Sequence, residues 1–235
     1  MSSQALAGYL MADSAVEAVL RMELNLSNPP SEQDRSAAEG LRGGAAVLMV
    51  AAFENYLREA ISEAISQMND AQPPYVFDKL PDQLRTIAVY SALELAMRGD
   101  YRSAGRKRLD RLPDIFTAVQ KVHSRQIDGA AIAQTKGNPD SQLVRQLFKT
   151  LGVPNVFSNV KRSFDAIWGT PTASTFIPDT LDIVVNRRHV VAHTASALAI
   201  TRFDLGVARV FVTCLVTVLD QALERQTTRV LQAAR

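Results

Sequence analysis

Along almost the whole chain, apolar residues recur every three to four positions, the period of helices that bury one face. No stretch alternates apolar and polar residues long enough to predict a strand. Leu6, Leu10, Val16, Val19, Leu20 and Leu24 line one broad face of a helix from about Gln4 to Leu26, which Ser27-Asn28-Pro29-Pro30 ends. A long second helix starts near Ser31 or Asp34 and runs towards Asn69, with Gly43-Gly44 as a close-packing point or kink. Its segment Ala45 to Tyr56 is apolar nearly all round, which predicts a central, buried helix. Pro81 opens a third helix, and Pro113 opens another with Ile115, Phe116, Val119 and Val122 inward. Residues 128–140 form the longest internal loop. Ser141 then caps a short helix to Leu151, stopped by Gly152. After a loop from Gly169 to Pro178, Asp179 caps a helix from Thr180 to about His193. Thr201 with Asp204 three residues on predicts a capping box for a long final helix. The expected fold is all-α and forms a single domain over 1–235, with a core of about 31–233 and an extra N-terminal helix at 1–26.

Composition narrows the class. The 235 residues are 47% hydrophobic and 21% charged, the balance of a globular protein with a packed core. The single cysteine, Cys214, excludes an intramolecular disulfide and a cysteine-based zinc site. The N-terminus lacks a basic region ahead of its apolar residues, and the most apolar runs, Ala45 to Phe53 and Val210 to Leu219, are too short to span a bilayer. The expectation is a cytoplasmic protein without a membrane anchor.

A net charge of +2 provides no global attraction to nucleic acid, but its distribution is uneven. Residues 98–125 carry eight cations, among them Arg102, Arg106, Lys107, Arg108 and Arg111, against three carboxylates. Such a stretch reads either as a solvated helix face or as a surface that tracks phosphates.

Two of the three histidines fall in Asn186-Arg187-Arg188-His189-Val190-Val191-Ala192-His193-Thr194, near the end of a predicted helix. On an ideal helix Arg188 and His193 stand about 140° apart, and His189 and His193 about 40° apart. Arg188 and His193 therefore converge only if the helix ends there, if the arginine sweeps round, or if a second chain completes the site. His193 reads as a hydrogen-bonded packing residue or as an acid–base group. The His189/His193 pair has helical metal-ligand spacing, yet no carboxylate triad or further cysteine completes a site, so no metal is expected. Arg187 reads as an exposed phosphate helper. Glu54, an acid in an otherwise apolar run, either pairs with Arg188 or faces solvent.

The segment Leu181 to His193 resembles the signature helix of the HEPN superfamily, whose arginine and histidine are separated by four to six residues; here they are Arg188 and His193. Val50-Ala51-Ala52-Phe53-Glu54-Asn55-Tyr56-Leu57 is similar to a helix of the RiboL-PSP-type branch. So are Gly137-Asn138-Pro139 and Leu147 to Val153. Together these cover most of residues 45–225. His189 stands where the family often has Asn, and Thr194 where it often has Gly.

The resemblance implies an antiparallel helical bundle with additional helices, and a composite cleft in which two motifs face each other across a homodimer. It also implies a metal-independent RNA endonuclease without a cofactor, a toxin or abortive-infection effector in bacterial conflict, with an antitoxin or regulatory protein as a possible partner. In such a cleft His193 exchanges a proton with the RNA 2′-hydroxyl or the leaving 5′-oxygen, and Arg188 holds the scissile phosphate. His189, Arg187, Glu54 and Thr194 would support them. The alternative is a catalytically idle HEPN-like bundle that dimerises or binds RNA as a scaffold.

Overall fold

The structure is a computed structural model that describes residues 3–98, 106–135, 138–194 and 200–234. Among these residues every regular element is helical: α1 (Gln4–Leu24), α2 (Arg35–Asn69), α3 (Asp82–Arg98), α4 (Leu112–His123), the short α5 (Gly129–Ile132), α6 (Ser141–Thr150), α7 (Val156–Trp168), α8 (Phe176–Thr194) and α9 (Arg202–Ala233). Short 3-10 turns precede α3 and α4. The fold is therefore an all-α bundle of the expected kind.

The bundle forms around α2, which packs against α1, α5, α8 and α9. Met49, Phe53, Tyr56, Leu57, Ile61 and Ile65 are buried along it, as its apolar run predicts. Gly43-Gly44 leaves it one continuous helix, and a Cβ added at Gly44 would meet nothing within 4 Å. A close approach to this helix is made by Gly129, where a Cβ would lie 3.1 Å from the Ser62 Cα, letting α5 sit on the α2 backbone.

The N-terminal helix is part of this core, and the face expected from its apolar residues docks only in part. Val16 is buried and Leu6, Val19 and Leu20 pack against the core, whereas Leu10 and Leu24 are exposed and Ala5, Tyr9, Asp13 and Glu23 are buried instead. Polar bonds explain the shift. Asp13 takes a forked bond from Arg209 on α9 (2.6 and 2.9 Å), and Tyr9 shares a hydrogen bond with Thr213 (3.1 Å). Glu23, 1% exposed, accepts from Arg42 on α2 and from Arg202 on α9, both at 2.6 Å. Hydropathy alone undervalues such a face because it counts Asp13 and Glu23 as outward.

Other departures are local. Phe116 and Val119 point outward on α4, while Ala118 is buried and Ile115 and Val122 pack against a small satellite cluster with α3. Asp140, one residue ahead of Ser141, caps α6 by accepting from the Leu143 N–H (2.8 Å). Gly152, with φ of 88°, follows α6 in the left-handed region, as expected of a stop. The sequence reading did not include α7, although Val156, Phe157, Val160 and Phe164 give it a buried helical stripe.

Candidate functional site

Helix α8 carries the histidine pair, and it begins one turn earlier than Asp179 predicts. Pro178 fits there because the first-turn N–H groups have no helical acceptor to lose. Ile177, Leu181, Val184 and Val185 are buried and seat the helix between α2, α6, α7 and α9. At the base of this packing Phe164, Trp168, Phe176 and Phe211 form a cluster with ring centroids 5.6–6.4 Å apart.

Two stripes of α8 matter for chemistry. The first is Ile177, Leu181, Val184, Arg188 and Val191, at spacings of four, three, four and three, so Arg188 occupies the inward face. Arg188 is half-buried, and its Nε is shielded from solvent without a hydrogen-bond partner among the described residues. A buried donor left unmatched costs about 1–3 kcal/mol, and more on a cation, so such a group calls for an acceptor. The second stripe is Asp182, Asn186, His189 and His193, on the outward face. The last two are exposed, with ring centroids 4.2 Å apart and planes tilted by 53°.

Because α8 runs unbroken through Thr194, its last residue, the angular separation of Arg188 and His193 stands. The helix is continuous past His193 to Thr194, the last residue described before Ile200, and the backbone of one chain does not place the two side chains on one face.

The supporting residues divide. Arg187 binds Asp204 on α9 (2.9 Å) and thus braces α8 instead of presenting a free guanidinium. Asp204 also closes the α9 capping box, accepting from the Thr201 N–H and hydroxyl. The Thr201 hydrogen bond, with Arg187 adding its charge, holds the Asp204 carboxyl below the usual range. Glu54 takes neither expected course: half-buried on α2, it accepts the Thr135 hydroxyl (2.5 Å) and makes no ion pair with Arg188. Among the described residues no group of three or more His, Cys, Asp or Glu could hold a metal ion. No helix of those residues is long and apolar enough to cross a membrane.

The basic stretch is largely self-neutralised where described. Arg98 binds Glu94 (2.5 Å), Arg106 binds Asp114 (2.8 Å), Lys121 binds Asp128 (2.7 Å) and Arg125 binds Asp78 (3.1 Å). Arg111 is 6% exposed, which corrects its assignment to a phosphate-tracking surface: a buried guanidinium does not meet a polyanion passing outside. Lys107 is exposed, Arg108 opens a 3-10 turn to Arg111, and Arg102 lies outside the described residues.

Sequence reasoning missed two features beside the motif. Ile183 and Val190 on α8 and Phe203, Val207 and Val210 on α9 are exposed, on helices clasped together by Arg187–Asp204. Their spacings, seven residues on α8 and four then three on α9, were legible as apolar faces, but the pattern does not say which apolar face a bundle leaves open. The other feature is a cleft of about 650 Å³ between the start of α6 and the outward stripe of α8, with His189 on its edge. The Asp182 carboxylate ties its walls together by accepting from the Ser141 N–H and hydroxyl, both at 2.8 Å.

Comparison with curated proteins and with solved structures gives no match. The family model described as RiboL-PSP-HEPN matches residues 15–225, from the middle of α1 into α9, and takes in both the α2 core and the Arg188-to-His193 helix. With that match over nearly the whole chain, the protein belongs to the RiboL-PSP-HEPN family, a family of HEPN type.

Proposed function

We propose that this protein is a metal-independent RNA endonuclease in which Arg188 and His193 act on the scissile phosphate. The observation that carries the reading is the Arg188 Nε, a shielded donor without an acceptor among the described residues, five residues ahead of an exposed histidine on one helix. A phosphate oxygen is a strong acceptor for a guanidinium fork.

The chemistry follows from the groups. The 2′-oxygen of RNA attacks the adjacent phosphorus and loses its proton to a base, while the P–O5′ bond breaks and the leaving oxygen gains a proton. A histidine, with a reference pKa of about 6.5, serves in either transfer near neutral pH. Arg188 offsets the charge that grows on the phosphate oxygens. The products are a 2′,3′-cyclic phosphate and a 5′-hydroxyl.

Because the two side chains point about 140° apart on α8, a second copy would complete the cleft with its own motif. The exposed apolar residues of α8 and α9 are suited to that contact, lying on the helix that bears the motif and on its clasped neighbour. In the cell such an activity fits a toxin or antiviral effector held in check by an antitoxin or regulatory protein.

The test uses labelled total RNA and tRNA with EDTA present. Cleavage is expected, from a protein that sediments as a dimer. Phe203→Glu, which places a charge on the apolar face, should yield a monomer that cuts at least 10-fold more slowly. RNA left intact by the wild-type protein at micromolar concentration would refute the proposal.

A further inference from the structure

The cleft beside His189 is lined unevenly along its length. At its α6 end, the Asp140 carboxylate caps the helix and the Asp182 carboxylate binds the Ser141 N–H and hydroxyl. Two carboxylates thus occupy the end of α6 that would otherwise attract an anion. At the other end of the α8 stripe stand His189 and His193. Arg145, bonded to the Ser141 hydroxyl, offsets one of these charges, and the other carboxylate leaves that end suited to a group that donates hydrogen bonds and not to a phosphate. A metal ion does not fit it, since no group of three or more ligating side chains occurs among the described residues.

Two further groups of the lining are carboxamides. Asn186 and Gln142 line the cleft, are exposed, and have no side-chain hydrogen bond among the described residues. Each offers one N–H donor and one carbonyl acceptor side by side, a pairing that adenine alone among the bases meets on both its Watson–Crick and its Hoogsteen edge, each an amino donor beside a ring-nitrogen acceptor. The cleft also contains a planar surface. The Arg145 guanidinium lies 5.0 Å from the Phe157 ring centroid and donates to the Ser141 hydroxyl (3.3 Å), so it is held from two sides. Guanidinium planes and aromatic rings are the surfaces on which single-stranded RNA bases stack. From Asn186 to His193 the helix rises about 10 Å, comparable to the reach from a phosphate to the far edge of its purine.

We infer that this cleft is a nucleobase pocket, selective for adenine, that seats the base next to the phosphate cut at Arg188 and His193; the inference rests on the ribonuclease reading. Asn186 and Gln142 read the base edge, Arg145 supports its face, and the Asp182–Ser141 bond fixes the width of the pocket.

The experiment separates binding from cutting. His193→Ala full-length protein is titrated with short fluorescent oligoribonucleotides that carry a single A, C, G or U in a uridine context, read by anisotropy. Wild-type protein is used to map cleavage in the same set. The adenine oligonucleotide should bind, and be cut, roughly 5- to 100-fold better than the all-uridine one. Asn186→Ala and Gln142→Ala should each reduce the ratio of adenine to all-uridine binding, with the circular dichroism spectrum unchanged. Asn186→Asp, an acceptor only, should move the preference from adenine towards guanine, whose Watson–Crick edge sets two donors side by side. Equal binding of all four oligonucleotides, or an adenine preference untouched by both alanine variants, overturns the pocket; if the wild-type protein still cuts RNA, the ribonuclease reading survives. Wild-type protein that neither binds nor cuts any of the set overturns both.

Discussion

Replacing His193 by Ala should lower RNA cleavage by about 10²- to 10⁴-fold, and replacing Arg188 by Ala should lower it by a similar factor. The first change removes the group that moves a proton, and the second removes the cation beside the scissile phosphate. Both act in one transition state, so the double variant should be scarcely slower than either single one. His193 is exposed and its loss should leave melting unchanged, whereas Arg188→Ala also deletes a half-buried cation with an unmatched Nε and should be neutral or slightly stabilising. Stability and activity would then move independently, the mark of a group retained for function. His189→Ala should be milder, since its ring lies against His193 and lines the cleft but has no proton to transfer in the scheme. Equal loss at His189, with inhibition by EDTA relieved by zinc, would favour a metal held by the histidine pair.

The largest effect on stability is expected at Glu23. Its carboxylate is 1% exposed and bridges Arg42 and Arg202, joining α1 to α2 and α9, and Arg42 reaches on to the Ile200 carbonyl (3.4 Å). Glu23→Ala leaves Arg42, itself 8% exposed, without its carboxylate, a change that costs about 3–5 kcal/mol. Burial alone would push the Glu23 carboxyl up, but the hydrogen bonds and charges of Arg202 and Arg42 outweigh it and hold it below the ordinary glutamate value. A depressed value in the folded state means the stabilisation is fully present above the unfolded value of about 4.3 and is lost as pH falls through the folded one. Chemical denaturation between pH 7 and pH 3 should therefore show a steeper acid loss for the wild-type protein than for Glu23→Gln. A penalty under 1 kcal/mol for Glu23→Ala at pH 7 would show that solvent and the backbone carbonyls of Ile200, residue 23 and Leu26 suffice for both guanidiniums.

How much was legible in the sequence depended on what each signal encodes. Helical period and Pro, Gly and Ser/Thr/Asp punctuation gave most element positions, because caps and breakers act within a few residues; the Thr201–Asp204 box and the Gly152 stop formed as read. Burial was legible where apolar character surrounds a helix, as on α2, and misread where it rests on distant partners. Asp13 and Glu23 are inward only because Arg209, Arg42 and Arg202 meet them, and those arginines lie 19 to 196 positions away. Likewise, counting cations in residues 98–125 could not reveal that Asp114, Asp128 and Asp78 answer several of them. The Arg188-to-His193 spacing was read directly, and the angular separation it implies persists in α8. Asn186 and Asp182, on the same stripe as both histidines, were within reach of the same helical arithmetic. Their use of α6 as an opposing wall was not, because that contact spans 41 positions.

The most direct test of the account is the chemistry of the cut ends. Wild-type and His193→Ala protein are incubated with a labelled RNA in EDTA, and the termini are identified by their response to polynucleotide kinase, with and without phosphatase activity, and by mass spectrometry. The account predicts 2′,3′-cyclic phosphate and 5′-hydroxyl ends from the wild-type protein at a rate indifferent to EDTA, and almost none from His193→Ala. Ends bearing a 3′-hydroxyl and a 5′-phosphate, or cleavage that EDTA stops, would contradict it.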